Sequence, residues 1–133
     1  MTEYIESRHS LAMADDDVSD LLPLPASVMH ILVALADGER HGYAIMRDVA
    51  AVSGGRVRMG SGTLYGSIKR MLDQGLIEET EERPDPELDD QRRRYYRLTA
   101  FGRQVGAAEH QRLAALVDAA TLRRLGVALG GAS

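Results

Sequence analysis

The chain of 133 residues contains no cysteine and no tryptophan, and it has only one phenylalanine. The absence of cysteine excludes disulfides and thiolate metal sites, and it favours a reducing compartment. No run approaches about 18 consecutive apolar residues, so we expect no membrane span. The acidic start of the chain differs from the basic and then apolar start of a signal peptide. Together these absences predict a cytoplasmic protein.

Patterns typical of enzymes and metalloproteins are lacking too. The four histidines (His9, His30, His41 and His110) are widely spaced and have no cluster of carboxylates beside them. No pairing of a nucleophile with a base stands out in the sequence. We therefore expect no metal, no cofactor and no enzymatic activity.

Charge is distributed unevenly along the chain, whose net charge is −4. Residues 1–25 carry a net charge of −5 and residues 76–90 one of −7, whereas residues 26–75 and 91–133 carry +2 and +6. The local field decides whether a surface attracts phosphates. The overall acidity therefore does not exclude nucleic acid as a partner.

Apolar spacing predicts three helices in the first half of the chain. The first begins near Pro25, which a first helical turn tolerates, and ends at Gly38. The second begins within 41–43 and stops at the Ser-Gly-Gly of 53–55. The third lies within 60–75 and has a glycine at its end.

The second half changes to strands and then to one long helix. Residues 76–82 and 92–98 are predicted to form two strands joined by the polar connection 83–91. Thr99 is placed to cap a fourth helix over about 99–120. The apolar stripe of that helix is too wide for one small domain to cover, so we expect a second copy of the chain to cover the rest. The residues expected at this dimer interface are Phe101, Val105, Ala108, Leu113, Leu116, Val117 and Ala120.

These elements predict a mainly α fold with a small β-hairpin: a winged helix-turn-helix followed by a C-terminal dimerisation helix. The hairpin is the wing. The expected segments are an acidic, flexible N-terminal arm over 1–22, the winged helix over 23–98, the dimerisation helix over 99–125 and a frayed tail over 126–133.

Three stretches, "HGYAIMRDV", "GSGTLYGSIKRMLDQGLI" and "RRRYYRLTAFGR", resemble the PadR family of bacterial transcriptional regulators in their order and spacing. The resemblance covers about residues 26–105, and the single last helix is similar to the short subclass of the family. It implies a homodimeric repressor that binds a pseudo-palindromic operator and is released by a small molecule near the dimer interface. Met29, Val33 and apolar residues of the fourth helix are candidates for lining such a pocket, and they are equally good core residues.

The glycine-rich start of the third helix has two readings, a nucleotide-binding loop or a DNA contact. A phosphate-binding loop of the P-loop type requires a strand before it and a lysine within it, and neither is present. At about 100° per residue, Gly66 lies opposite the apolar face formed by Leu64, Ile68, Met71 and Leu72. Lys69 and Arg70 flank that glycine. This arrangement predicts the recognition helix of a helix-turn-helix protein.

The expected DNA contacts come from the second helix, the third helix and the wing. They are His41, Gly42, Tyr43, Ser61, Gly62, Thr63, Tyr65, Gly66, Lys69, Arg70, Arg92, Arg93 and Arg94. Some have a structural alternative: the histidine can cap a helix, Tyr43 can belong to the core, and Tyr65 can pack on the wing.

Eight carboxylates within 78–90 oppose a role of the wing in DNA binding. Either the wing tip swings clear of DNA, or its acids pair with the wing arginines until DNA displaces them. The acidity also favours one alternative function, a winged-helix module that binds another protein and never touches DNA.

Overall fold

The structure is a computed structural model that describes residues 17–81, 83–84 and 92–126. The predictions made for the start of the N-terminal arm, for most of the polar wing connection and for the end of the C-terminal tail lie outside the described residues. Among the residues that are described, no helix is both long enough and apolar enough to cross a membrane.

Four helices form the body of the molecule, as the apolar spacing predicts. They are α1 (Ala26–Ala34), α2 (Gly42–Val52), α3 (Ser61–Asp73) and α4 (Ala100–Leu122). Pro25 occupies the N-cap of α1, and its missing N–H costs nothing there because the first helical N–H groups have no intrahelical partner. Gly75 ends the turn after α3 with a φ of +75°, which glycine adopts without strain.

Thr99 joins the sheet to the last helix in the way its position predicts. Its hydroxyl accepts a hydrogen bond from the Gly102 N–H at 2.9 Å and donates to the Gly75 carbonyl at 2.6 Å. The same side chain therefore caps α4 and fixes the helix start against the end of α3.

A three-stranded antiparallel sheet lies beside the helices, with strand order β1-β5-β2. Its strands are β1 (Arg40–His41), β2 (Ile77–Glu79) and β5 (Tyr95–Leu98). A second ladder, β3 (Arg83–Pro84) with β4 (Arg92–Arg93), extends the wing. The two wing strands are confirmed, whereas β1 is not predicted because two residues are too few to show an alternating pattern.

The core fills the space between the three short helices, the sheet and the first half of α4. Its buried apolar side chains are Val28, Ile31, Leu32, Ala34, Leu35, Ile45, Val49, Leu64, Ile68, Met71, Leu76, Ile77, Tyr96 and Val105. Val105 is fully buried, so its assignment to a dimer interface is wrong: the first turns of α4 pack on their own domain.

The end of the N-terminal arm is better ordered than its sequence indicates. Residues 17–20 are helical, and Val18, Leu21 and Leu22 pack against the core. The sequence does not predict this turn, because a single short turn has too few apolar positions to establish a helical period.

Candidate nucleic-acid interface

Helix α3 separates a buried apolar face from an exposed polar one. Leu64, Ile68 and Met71 are each at most 2% exposed, which fixes how the helix lies on the domain. Gly62, Gly66, Lys69 and Arg70, which we call the exposed face of α3, are open to solvent. The apolar and exposed sets lie as the helical wheel predicts.

Gly66 has no packing reason to be glycine within the described structure. A Cβ at this position meets no atom within 4 Å, and the backbone is ordinary helix. Glycine inside a helix costs about 0.5–1 kcal/mol relative to alanine. The residue is therefore unexplained by the fold and compatible with a surface that must come very close to a partner.

The beginning of α3 presents small polar residues to solvent. Ser61, Gly62 and Thr63 are exposed, and in the part of the chain that the structure describes no side chain caps the helix at Gly60. The first N–H groups of a helix favour an anion, and the hydroxyls of Ser61 and Thr63 add donors at this end of α3.

Tyr65 connects the exposed face of α3 to the start of α2. A Cβ at Gly42 would overlap the Tyr65 hydroxyl and lie 2.9 Å from its Cζ, so a larger residue there would displace the Tyr65 ring. Tyr65 remains 46% exposed. Its ring therefore rests on α2 while one side stays open beside the basic residues of α3.

Tyr43 forms a second junction, between α2 and the wing. The Arg47 guanidinium carbon lies 5.1 Å from the centre of the Tyr43 ring, and that of Arg93 lies 5.9 Å from it. Two guanidinium groups therefore lie at one half-exposed ring, next to the Gly42–Tyr65 contact. Arg47 is not among the residues predicted from the sequence, although its spacing of four residues from Tyr43 on a helix is a usable signal.

His41 lies in the interior and not on this surface. It is 6% exposed, its Nδ1 accepts a hydrogen bond from the Ala44 N–H at 3.1 Å, and its ring meets Tyr95 edge-on at 5.4 Å. The side chain therefore caps α2. This corrects the prediction that the His41 ring contacts DNA directly.

Two wing arginines are paired with carboxylates from the neighbouring strand. Arg97 Nε lies 2.7 Å from Glu78 Oε1, and Arg94 Nε lies 3.5 Å from Glu79 Oε1. Arg94 is one of the three predicted wing arginines, whereas Arg97 is not, and the acidic tip and the side chain of Arg92 lie outside the described residues. All four side chains are substantially exposed, so salt and competing phosphates have access to both pairs.

Glu79 lies directly opposite Tyr96 in the register of β2 and β5, so the two side chains share one face of the sheet. Burial raises the pKa of Tyr96, and the nearby charge of Glu79 raises it further. Tyr65 contributes in the same direction, whereas Arg94 lowers the pKa. Glu79 is paired with Arg94, so both side chains lie at the face of the sheet that carries Tyr96 into the core.

The expected dimer residues divide into two groups. Phe101 packs against the core and Ala108 is half-buried, whereas Leu116 and Val117 are 60% and 62% exposed. Leu113 and Ala120 are half-buried at the edges of the exposed group. Among the residues expected at a dimer interface, the exposed apolar ones therefore lie in the distal part of α4.

A shallow apolar groove of about 170 Å³ lies between α1 and α4. Met29 and Val33 line it together with Gly106 and Ala107, and Arg103 stands at its edge. Met29 and Val33, which the sequence offers as candidates for lining a pocket, thus lie in one groove.

Comparison with known proteins gives the family. Residues 31–108 match the transcriptional regulator PadR-like family. An uncharacterised 37.1 kDa protein in a transposon of Streptomyces fradiae is 39% identical over 88 residues, which are 66% of this chain. The matched region is 23% of that relative, so the chain corresponds to about a quarter of its length.

Solved structures show the same fold. A PadR family transcription regulator from Clostridium difficile is 22% identical with a TM-score of 0.61, covering 74% of this chain and 97% of that one. Bacillus subtilis PadR, solved in complex with operator DNA, is 24% identical with a TM-score of 0.54, covering 68% of this chain and 48% of that one. The family match identifies the chain as a member of the transcriptional regulator PadR-like family, and the structural matches show that it has the winged-helix fold.

Proposed function

We propose that the protein is a homodimeric repressor that binds a pseudo-palindromic operator and leaves it when a small molecule binds. The exposed face of α3 carries this proposal. It combines two basic residues with a glycine that nothing inside the described structure requires, on a helix whose opposite face is fully buried. A recognition helix in the major groove needs such a surface.

Elements next to α3 supply contacts to the phosphate backbone of DNA. The start of α2 and the base of the wing hold Tyr43, Arg47 and Arg93 close together, and their donors suit phosphate oxygens. In this arrangement α3 reads bases, whereas the tyrosine and the arginines fix the register of the protein on the duplex.

Dimerisation is supported by the distal part of α4. Leu116 and Val117 are apolar, adjacent and mostly exposed. A second copy covering them would place two α3 helices on one DNA molecule, with half-sites about 34–36 Å apart or a multiple of that distance.

An effector site is supported by the groove between α1 and α4. It joins the DNA-binding domain to the helix proposed for dimerisation, so a ligand there would contact both. A ligand that binds one arrangement of these helices better than the other shifts the equilibrium between them. The chain has five tyrosines and no tryptophan, so its sequence does not indicate a large aromatic drug pocket.

The decisive test is binding of the purified protein to the DNA upstream of its own gene at two salt concentrations. A Lys69→Ala/Arg70→Ala variant removes two charges from the exposed face of α3. An Arg123→Ala/Arg124→Ala variant removes the same charge from exposed residues beyond α4 and serves as control. We expect saturable binding that weakens with salt, a marked loss in the first variant, and near-normal affinity in the control.

Equal losses in the two variants would indicate binding by net charge alone and would contradict the assignment of α3. If the upstream DNA does not bind, selection of bound fragments from genomic DNA follows. An empty selection would favour the protein-interaction module, which the acidic wing and its exposed ion pairs support. Addition of candidate ligands to the retarded complex then tests release.

A further inference from the structure

Glu109 is a carboxylate buried inside a small domain. It is 2% exposed, and both of its oxygens have partners. Oε2 accepts a hydrogen bond from the backbone N–H of Leu24 at 3.0 Å and one from Arg112 Nη2 at 3.0 Å, while Arg112 Nε donates to Oε1. A buried carboxylate is costly unless it is paired in this way.

The backbone N–H group that Glu109 binds belongs to a proline-flanked leucine. Leu24 stands between Pro23 and Pro25, so its N–H is the sole backbone donor over these three residues. The segment leads directly into α1. A single hydrogen bond therefore ties α4 to the entrance of the DNA-binding domain, across 85 positions of sequence.

The contacts of α4 with its own domain occur in a fixed order along the helix. Thr99 caps its start, Gly102 lies so close to the backbone of Leu76 that a Cβ would come within 2.9 Å of the Leu76 carbonyl carbon, and Val105 is fully buried. Glu109 comes next and is the last buried residue of the helix among those described. Residues 110–122 extend beyond it and form the projecting half of α4.

The position of a contact along α4 decides how strongly it affects the direction of the helix. The first three contacts lie within the opening two turns, at the end of α4 nearest the sheet, whereas the residues beyond Glu109 have no buried contact among those described. Glu109 lies about 10 Å farther along the helix than Gly102, at 1.5 Å per residue. The attachment farthest from the helix start has the greatest effect on the direction of the residues that follow it.

We propose that Glu109 is a positioning residue that sets the direction of the projecting half of α4, and through it the separation of the two α3 helices in the dimer. The second clause rests on the proposed function, whereas the first concerns a single chain. A carboxylate suits this role better than an apolar side chain because its hydrogen bond to Leu24 has a preferred direction, while apolar contacts tolerate sliding.

The first experiment measures direction within one chain. Because the protein has no cysteine, spin labels can be attached through Val52→Cys on α2 and Asp118→Cys on the projecting half, both at exposed positions. Labelled chains are diluted into unlabelled ones so that distances between protomers do not contribute. The label-to-label distance distribution is compared between the parent protein and its Glu109→Gln, Glu109→Ala and Glu109→Leu variants. Asp73→Asn, at an exposed position, is the control.

We expect a narrow distribution in the parent protein, in the control and in Glu109→Gln, whose amide oxygen still accepts from Leu24. Glu109→Leu retains the side-chain volume without the directional bond, so it should fold and yet show a distribution at least about twofold broader or displaced. Unchanged distributions in Glu109→Leu and Glu109→Ala, with helix content equal to the parent, would overturn the proposal.

The second experiment measures the consequence on DNA. Operators with the same two half-sites are prepared with spacers lengthened or shortened by two base pairs. We expect the parent to lose about tenfold in affinity when the spacing changes, and Glu109→Leu to lose less than about threefold while keeping its preference for the half-site sequence. Equal spacing preference in both proteins would overturn the second clause. If the parent protein binds no operator, the proposed function fails, and the distance measurement alone decides the role of Glu109.

Discussion

Two glycines illustrate how the same residue serves different purposes in this protein. Gly102 lies where α4 crosses the chain just before β2, and a Cβ there would overlap the Leu76 carbonyl oxygen. Gly66 lies in the middle of α3 with open space around it. The first glycine is required by the fold, whereas the second lowers the stability of the fold, which points to a requirement outside the free protein.

We expect opposite stability effects from alanine at these two positions. Gly102→Ala forces the backbones of α4 and Leu76 apart and should lower the free energy of unfolding by about 1–3 kcal/mol. Gly66→Ala should raise it by about 0.5–1 kcal/mol and weaken binding to operator DNA. Urea denaturation and DNA titration measure the two effects. Unimpaired DNA binding by Gly66→Ala would contradict the close approach proposed for α3.

The ion pair of Glu109 predicts a pH dependence of stability. The hydrogen bond from Arg112 is the main cause that lowers the pKa of Glu109 below its ordinary value of 4.5, and the Leu24 N–H acts in the same direction, against an opposing effect of burial. Because the folded-state pKa is depressed, the stabilisation is complete above the unfolded pKa. It is lost as pH falls through the folded pKa.

The measurement is the free energy of unfolding between about pH 7 and pH 3. We expect the parent to lose more stability over this interval than Glu109→Gln, which has no carboxyl to protonate at this position. Asp118→Asn, at an exposed position, is the control and should follow the parent. Parallel curves for the parent and Glu109→Gln would contradict the assignment.

At the scale of the element, the wing combines cations with the carboxylates that oppose them. Arg94 and Arg97 each face a glutamate of β2. Exposed pairs of this kind contribute at most about 1 kcal/mol, so they do not explain the fold. Their position at the base of the wing is better explained if they compete with phosphates for the arginines.

We expect Glu79→Gln to raise the affinity for non-specific DNA by a few-fold at low salt, because Arg94, one of the predicted DNA contacts, is then released. Glu78→Gln makes the same charge change on the strand position that faces Arg97, and it should have a smaller effect. Titration with duplexes of unrelated sequence at two salt concentrations provides the comparison. Equal affinities of the parent and Glu79→Gln would argue against competition.

At the scale of the whole molecule, α4 is divided between two tasks. Its first half completes the core of its own domain, and its projecting half leaves apolar side chains exposed. The helix has 23 residues, or about 34 Å at 1.5 Å per residue, so it reaches well beyond the contacts with its domain.

We expect Leu116→Glu/Val117→Glu to convert the proposed dimer into a monomer, because charges on this face repel their copies. The free energy of unfolding of the monomer should change little, since both side chains are exposed in the single chain. Sedimentation measures the oligomeric state. Ala115→Glu is the control and should remain a dimer, because at about 100° per residue this exposed position lies on nearly the opposite side of the helix from the Leu116–Val117 face. An unchanged mass in the double variant would contradict this interface.

Local chemistry determined much of this protein from the sequence alone. Apolar spacing predicts all four helices. Thr99 correctly marks the beginning of α4, and the glycine after α3 marks the end of that helix. Both signals succeed because capping and helical period depend on residues close together in the chain. The same period places Gly66, Lys69 and Arg70 away from the core, as the structure has them.

Only the tertiary structure decided which polar residues share a surface and which are internal. His41 turns inward because Tyr95 of a distant strand packs on it, and Arg47 meets Arg93 at one tyrosine ring. The bond between Leu24 and Glu109 joins segments that no local pattern relates. Such contacts depend on how the helices and strands pack, and sequence spacing reports only on neighbours within one element.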